Sequence, residues 1–213
     1  MIKTLAVFSM LMDHIGLMFF PDILWLRFVG RLAMPLFAFA VARAFSGDFD
    51  DAKALRYAIR LGIFALVSQI PYSFMVSGTL NIVFTWFFGF SLLYIFKRSV
   101  LLPGILGILS ILLCAFLTPL EYGICGVFYP LMFYICLFKY KNYVLTLCGS
   151  LTLYFIYGLQ FDFNLIQVLS IFAVPVILVF NNIDKQFRLN KWFYYTFYPV
   201  HISLLVTLNY LIP

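Results

Sequence analysis

Lys3, Asp13 and His14 stand inside an otherwise apolar run from Ile2 to Phe20, and together they are equipped for proton transfer. Holding such side chains deep in a bilayer costs several kcal/mol each, so their presence there points to a role. A histidine changes charge near neutral pH and serves as a general base, while a neighbouring carboxylate or cation sets its orientation. From Lys3 to His14 an α-helix makes about three turns and rises about 16 Å, which puts both on one face, Lys3 near an end and His14 at depth. That is the layout of a site reached from one side. Asp13 and His14 differ by about 100° around the helix, so both cannot point squarely into one cavity.

The elements that must position these groups follow from composition. The chain is 65% hydrophobic and 10% charged over 213 residues, outside the soluble globular range. Its apolar segments run to about 15 to 20 residues, helix-spanning length, whereas barrel strands would be shorter and alternating. The expected fold class is an all-α integral membrane protein, one polytopic bundle over residues 1–213 with no second domain. Nine spans are expected: Thr4 to Phe20, Trp25 to Phe45, Leu55 to Ser73, Asn81 to Phe96, Val100 to Leu117, Tyr122 to Phe138, Tyr143 to Tyr157, Asn164 to Phe180 and Tyr194 to Leu211. Turn-forming or charged stretches separate them: Pro21-Asp22, Ser46-Gly47-Asp48, Ser77-Gly78, Lys97-Arg98, Thr118-Pro119, Lys139 to Asn142 and Asn181 to Lys191. The first span resembles a signal peptide but has no small-residue cleavage site after it, so it is read as retained.

Charge orients the bundle. Lys3, Lys53 with Arg56 and Arg60, Lys97-Arg98, Lys139 with Lys141, and Lys185 with Arg188 and Lys191 fall on the N-terminal side, which predicts a cytoplasmic N-terminus and an external C-terminus. The net charge of +6 follows from this asymmetry, and nucleic acid is excluded as a partner. Cys114, Cys125, Cys136 and Cys148 lie within apolar spans with no metal-ligand spacing and read as small packing residues. The 27 Phe and 14 Tyr are expected mainly to face lipid and the interface.

With orientation set, polar residues converge on one outer stratum: Asp13, His14, Arg27, Arg31, Gln69, Asn81, Thr85 and Glu121-Tyr122, with His201 nearer mid-bilayer. Each also has a plainer reading. Asp13 with Arg31 is equally an ion pair joining two helices, and Arg27 is expected to snorkel to the interface. Gln69, Asn81 and Thr85 read first as interhelical hydrogen-bond partners. His201 alone reads as a packing histidine. For His14 the combination of depth, adjacent carboxylate and a cation on its own face favours chemistry.

Five blocks in order then carry a resemblance: IKTLAVFSMLMDHIGLMFF, GRLAMPLFAFA, LNIVFT, YGICGV and FYYTFYPVHISLL. They resemble the TraX family, which implies an acetyltransferase acting on the N-terminal amine of a pilin subunit, with acetyl-CoA as co-substrate and no metal. That family is similar in turn to membrane acyltransferases of cell-surface sugars, which carry a basic residue and a histidine at the spacing of Lys3 and His14, followed by Arg, Pro and Phe, here Arg31, Pro35 and Phe37. Arg27 lies outside that pattern, and Glu121 stands where the family implies a small residue.

The implied mechanism is acyl transfer through the inner (plasma) membrane. Lys3, with Arg56 and Arg60, would attract the CoA phosphates while the pantetheine arm reaches up to His14. His14 would be the general base, oriented by Asp13 or another carboxylate, with Arg31 or Asn81 stabilising the oxyanion. Gln69, Tyr122 and His201 complete the expected donor- or substrate-binding set. The expected partners are acetyl-CoA, a pilin or other exported acceptor, and membrane lipid. Three alternatives stand beside this reading: O-acetylation of a surface glycan, a proton-coupled carrier of small solutes or lipid, and a non-enzymatic pilus assembly factor.

Overall fold

The computed structural model describes residues 1–47, 50–98, 101–161, 163, 165–180 and 190–211. The expected boundary residues Asp48 and 181–189, with Lys185 and Arg188, lie outside the described residues, as do the span starts Val100 and Asn164. Among the described residues there is no β-strand, and one isolated bridge joins Leu80 to Leu120.

The helices are α1 Ile2–Met18, α2 Leu24–Gly30, α3 Ala33–Ser46, α4 Asp51–Met75, α5 Ile82–Arg98, α6 Leu101–Leu117, α7 Gly123–Phe133, α8 Tyr143–Phe161, α9 Leu165–Val168, α10 Ala173–Phe180 and α11 Lys191–Leu211. Among the described residues they form nine rods, because α2 and α3 are one broken rod, α7 continues as a π-helix over Tyr134–Lys139, and α9 reaches α10 through a 3-10 turn over Leu169–Phe172. These rods coincide in place with the nine expected segments.

Local chemistry explains the breaks and starts. Pro35 has no N–H for the Arg31 carbonyl and its ring crowds that oxygen, so the second rod breaks at Arg31–Leu32 and restarts with proline in the first turn of α3. Asp50 caps α4, its carboxylate accepting a hydrogen bond from Lys53 N at 2.6 Å.

Polarity is arranged inside out relative to a soluble protein. On α4, Leu55, Ile59, Ile63, Leu66, Ile70 and Phe74 are exposed, and on α8 so are Val144, Leu151, Phe155 and Leu159. Ser9, Asp13, His14, Ser68, Asn81, Thr85 and His201 are buried. Among the described residues three helical stretches, Leu24–Ser46, Asp51–Met75 and Tyr143–Phe161, are long and apolar enough to cross a membrane.

The central rod is α3, which packs against α1, α5, α7 and α10. Its Phe39 meets Phe133 edge-on at 5.8 Å, and Phe45 meets Phe90 edge-on at 5.6 Å. Phe39, Phe45, Phe90 and Phe133 are fully buried and belong to the core. The cysteine reading is corrected in part: Cys125 and Cys136 are buried, but Cys114 and Cys148 are exposed.

Candidate active site

The site begins where α1 and α2 touch. Ser9 Oγ donates to Val29 O at 2.6 Å and to Gly30 O at 3.2 Å, locking the two helices together. A Cβ at Gly30 would overlap the Asp13 carboxyl group, so glycine is what lets the backbone of α2 reach it. Arg27 Nη1 lies 3.0 Å from Asp13 Oδ1 and donates to Asp13 O at 3.0 Å, while Arg31 Nη2 lies 3.6 Å from the same carboxylate oxygen. Arg27 therefore does not snorkel away. A buried carboxylate needs its countercharge close by, and two guanidiniums supply it.

Arg31 also reaches α7, where its Nη1 donates to the Tyr122 hydroxyl at 3.1 Å. Tyr122 has a φ of 64°, in the left-handed region, and Gly123 follows at 54°. This conformation is costly for a tyrosine and is held by its surroundings. Leu80 N donates to Pro119 O at 2.8 Å, Glu121 N donates to Leu80 O at 3.1 Å, and Thr85 Oγ1 donates to Glu121 O at 2.8 Å. The loops before α5 and α7 are thereby sewn into one rim.

Gln69 and Asn81 hold that rim to α4. Asn81 Nδ2 donates to Ala65 O and to Gln69 Oε1, both at 2.9 Å, and Asn81 Oδ1 accepts from Val83 N at 2.9 Å. Gln69 Nε2 donates to Thr79 O at 3.0 Å and to Ser73 Oγ at 3.1 Å. Asn81 is thus engaged in joining helices rather than offering its amide as an oxyanion donor.

His14 and His201 meet directly, although 187 residues apart in sequence. His14 Nδ1 lies 2.8 Å from His201 Nε2, and His201 Nδ1 lies 2.7 Å from Phe197 O. The rings are 7° from coplanar with centroids 5.0 Å apart, so they join edge to edge rather than face to face. A carbonyl only accepts, so His201 Nδ1 carries the proton and donates it. In a neutral His201, Nε2 is then the acceptor and His14 Nδ1–H the donor. A neutral His14 is left with a bare lone pair on Nε2, the atom a general base needs. The orienting partner of His14 is therefore another histidine and not Asp13 or any other carboxylate, which corrects the sequence-based expectation.

His14, Asp13, Glu121 and Tyr122 line a chamber of about 20 Å³, walled by Met10, Met34, Phe37 and Trp86. On the Lys3 side of that wall is a cavity of about 150 Å³ lined by Lys3, Tyr57, Tyr194 and Tyr195, and again by Phe37 and Trp86. Lys3 Nζ lies 5.8 Å from the Tyr194 ring centroid. Arg60 lies over the Tyr57 ring at 5.9 Å and its Nε donates to Arg56 O at 3.1 Å, and it lines an adjoining apolar groove of about 290 Å³ that shares Phe64 and Tyr195 with the Lys3 cavity. That groove is larger, but among the described residues its lining holds no histidine or carboxylate, so the smaller chamber is the candidate active site. Sequence reasoning set Arg27 aside as a snorkelling residue and gave Glu121 no role, whereas Arg27 pairs with Asp13 and Glu121 lines the chamber, and no sequence spacing signals either contact.

These features define an all-helical protein with an apolar exterior and a buried ionic layer around a histidine pair. The family model described as "TraX protein" matches residues 1–209, and the chain belongs to that family. It is 30% identical, over 234 aligned positions covering 96% of this chain and 92% of the relative, to the "Probable fimbrial assembly protein FimC, serogroup H1" of Dichelobacter nodosus. It is also 33% identical over 102 residues to the "Uncharacterized protein RP591" of Rickettsia prowazekii, covering 47% of this chain and only 38% of that protein's length. No solved structure matches the chain.

Proposed function

We propose that this protein is a multi-pass acetyltransferase of the inner (plasma) membrane, moving an acetyl group from cytoplasmic acetyl-CoA to the N-terminal amine of a pilin subunit. The observation that carries this reading is the committed tautomer of the His14–His201 pair in a chamber that shares its aromatic wall with the Lys3 cavity. The outward-facing apolar belts support insertion, and the fimbrial description of one relative supports a pilus-linked acceptor. Lys3 stands at the end from which the CoA phosphates approach, and the helical rise of about 16 Å to His14 suits a pantetheine arm.

His14 Nε2 removes the proton from the attacking nitrogen, and His201 spreads the resulting positive charge toward the Phe197 carbonyl. The Tyr122 hydroxyl accepts from Arg31 and keeps its own hydrogen for the oxyanion that grows on the thioester carbonyl. Arg31 polarises that hydroxyl and is itself steadied by Asp13. The test is the intact mass of pilin, or of N-terminal peptides of membrane and exported proteins, in cells making wild type or His14→Ala. An acetyl group that depends on His14 is the expected result. Its absence with both proteins, each properly inserted, removes the amine reading and turns attention to surface glycans and then to a carrier.

A further inference from the structure

Glu121 is a half-buried acidic residue that the mechanism above leaves unused. Its side chain lines the His14 chamber, and its backbone is pinned on both sides by the Leu80 and Thr85 bonds. Its carboxyl group lies near the Tyr72 side chain and the Ile82 backbone N–H. Oε2, however, is buried without a hydrogen-bond partner among the described residues. The nearest guanidinium is committed elsewhere, since Arg31 contacts Asp13 at 3.6 Å and Tyr122 at 3.1 Å. An acceptor oxygen buried without a donor costs about 1–3 kcal/mol, so such a site favours a ligand that brings a donor.

The chamber has room for about one water-sized group, which is also the size of an ammonium head. With both carboxyls ionised, Asp13 and Glu121 match Arg27 and Arg31 in charge, and His14, Tyr72, Tyr122 and Tyr198 are the other titratable groups around Glu121. An incoming ammonium unbalances this set by one positive charge, and loss of one proton restores it.

Amine and hydroxyl acceptors differ in how many protons they must shed. A hydroxyl loses one on acetylation, whereas an ammonium loses two, one before attack and one after. Two bases face this chamber. We propose that Glu121 seats the primary ammonium of the acceptor beside His14 and takes its first proton, making this a site for amines rather than hydroxyls. The proposal rests on the acetyl-transfer reading and deepens it.

The steps balance. An N–H bond of the ammonium breaks toward Glu121 Oε2, leaving a carboxylic acid and a neutral amine. The nitrogen lone pair forms the C–N bond at the acetyl carbonyl, and the C–S bond breaks as the tetrahedral intermediate collapses. His14 Nε2 takes the second N–H proton and passes it to the departing thiolate. Glu121 then releases its proton to water. Ammonium plus thioester becomes amide plus thiol plus one proton.

The test uses purified full-length protein in detergent, acetyl-CoA, and two probes: a short apolar peptide beginning with a free alanine, and the same peptide with lactate in place of that alanine. Binding and acetyl transfer are measured for wild type, Glu121→Gln and Glu121→Asp. Wild type is expected to prefer the amine peptide, and Glu121→Gln to weaken its binding about tenfold while leaving lactyl-peptide binding unchanged. Transfer to the amine should fall about 100-fold at neutral pH and recover as pH rises toward the amine's own pKa, with Glu121→Asp intermediate. Equal losses for both peptides, or wild-type behaviour of Glu121→Gln, would overturn the proposal. Amine-selective binding that needs Glu121 but comes with no acetyl transfer by wild type would sink the acetyltransferase reading while keeping Glu121 as the ammonium receptor.

Discussion

The indole of Trp86 packs on the ring of Phe37 with centroids 4.7 Å apart, and this pair is the partition between the Lys3 cavity and the His14 chamber. Trp86 Nε1 is buried with no hydrogen-bond partner among the described residues. In the proposed reaction the pantetheine arm must pass this pair, and an unmatched donor there suits one of its amide carbonyls. Trp86→Phe keeps the packing and removes the donor. It is expected to raise the KM for acetyl-CoA about tenfold with little change in kcat, measured by radiolabelled acetyl transfer in membranes.

In the proposed reaction His201 acts through His14, fixing its tautomer and sharing its charge. His201→Ala should lower kcat about 100-fold and leave the KM for acetyl-CoA near its wild-type value. His201→Gln, whose side-chain oxygen can accept from His14 Nδ1, should recover part of the loss. Equal inactivity of both variants, with normal insertion, would argue that His201 does more than orient.

The clustering of Arg27 and Arg31 on one carboxylate oxygen predicts asymmetric stability effects. Arg27→Ala strips the closer countercharge from buried Asp13 and should cost about 3 kcal/mol, read from thermal unfolding in detergent. Adding Asp13→Asn to that variant removes the uncompensated charge and should return much of the loss.

Gly30→Ala is the smallest change aimed at the same contact. The new methyl would overlap the Asp13 carboxyl group, so α1 and α2 must part or the carboxylate must turn. The expected cost is about 1–3 kcal/mol, with a larger fall in activity than in folding because the Arg31–Tyr122 arrangement hangs on Asp13.

Much of this architecture was legible in one dimension. Rods are announced by apolar runs and their ends by turn residues and charge, so the segments from Thr4 to Phe20 through Tyr194 to Leu211 fall where α1 to α11 lie. Local irregularities were not read. The break at Arg31–Leu32 is written in Pro35, but the π-helix over Tyr134–Lys139 carries no comparable mark. At the site, depth alone gathered His14, Asp13, Arg31, Glu121 and Tyr122 into one stratum. Who touches whom was not visible: the His14–His201 contact depends on how two distant rods rotate against each other, which no periodicity records. Arg27 was misread because a guanidinium near a rod end can fold inward as readily as outward, and the close approach at Gly30 decides for inward.

The first and last rods share the histidine pair, and α11 also contributes Tyr194 and Tyr195 to the Lys3 cavity. A ribosome makes every rod from α1 to α10 before it makes the one that completes the site. During synthesis, then, His14 waits without its partner, and a chain clipped ahead of α11 lacks the histidine pair however well the rest has folded.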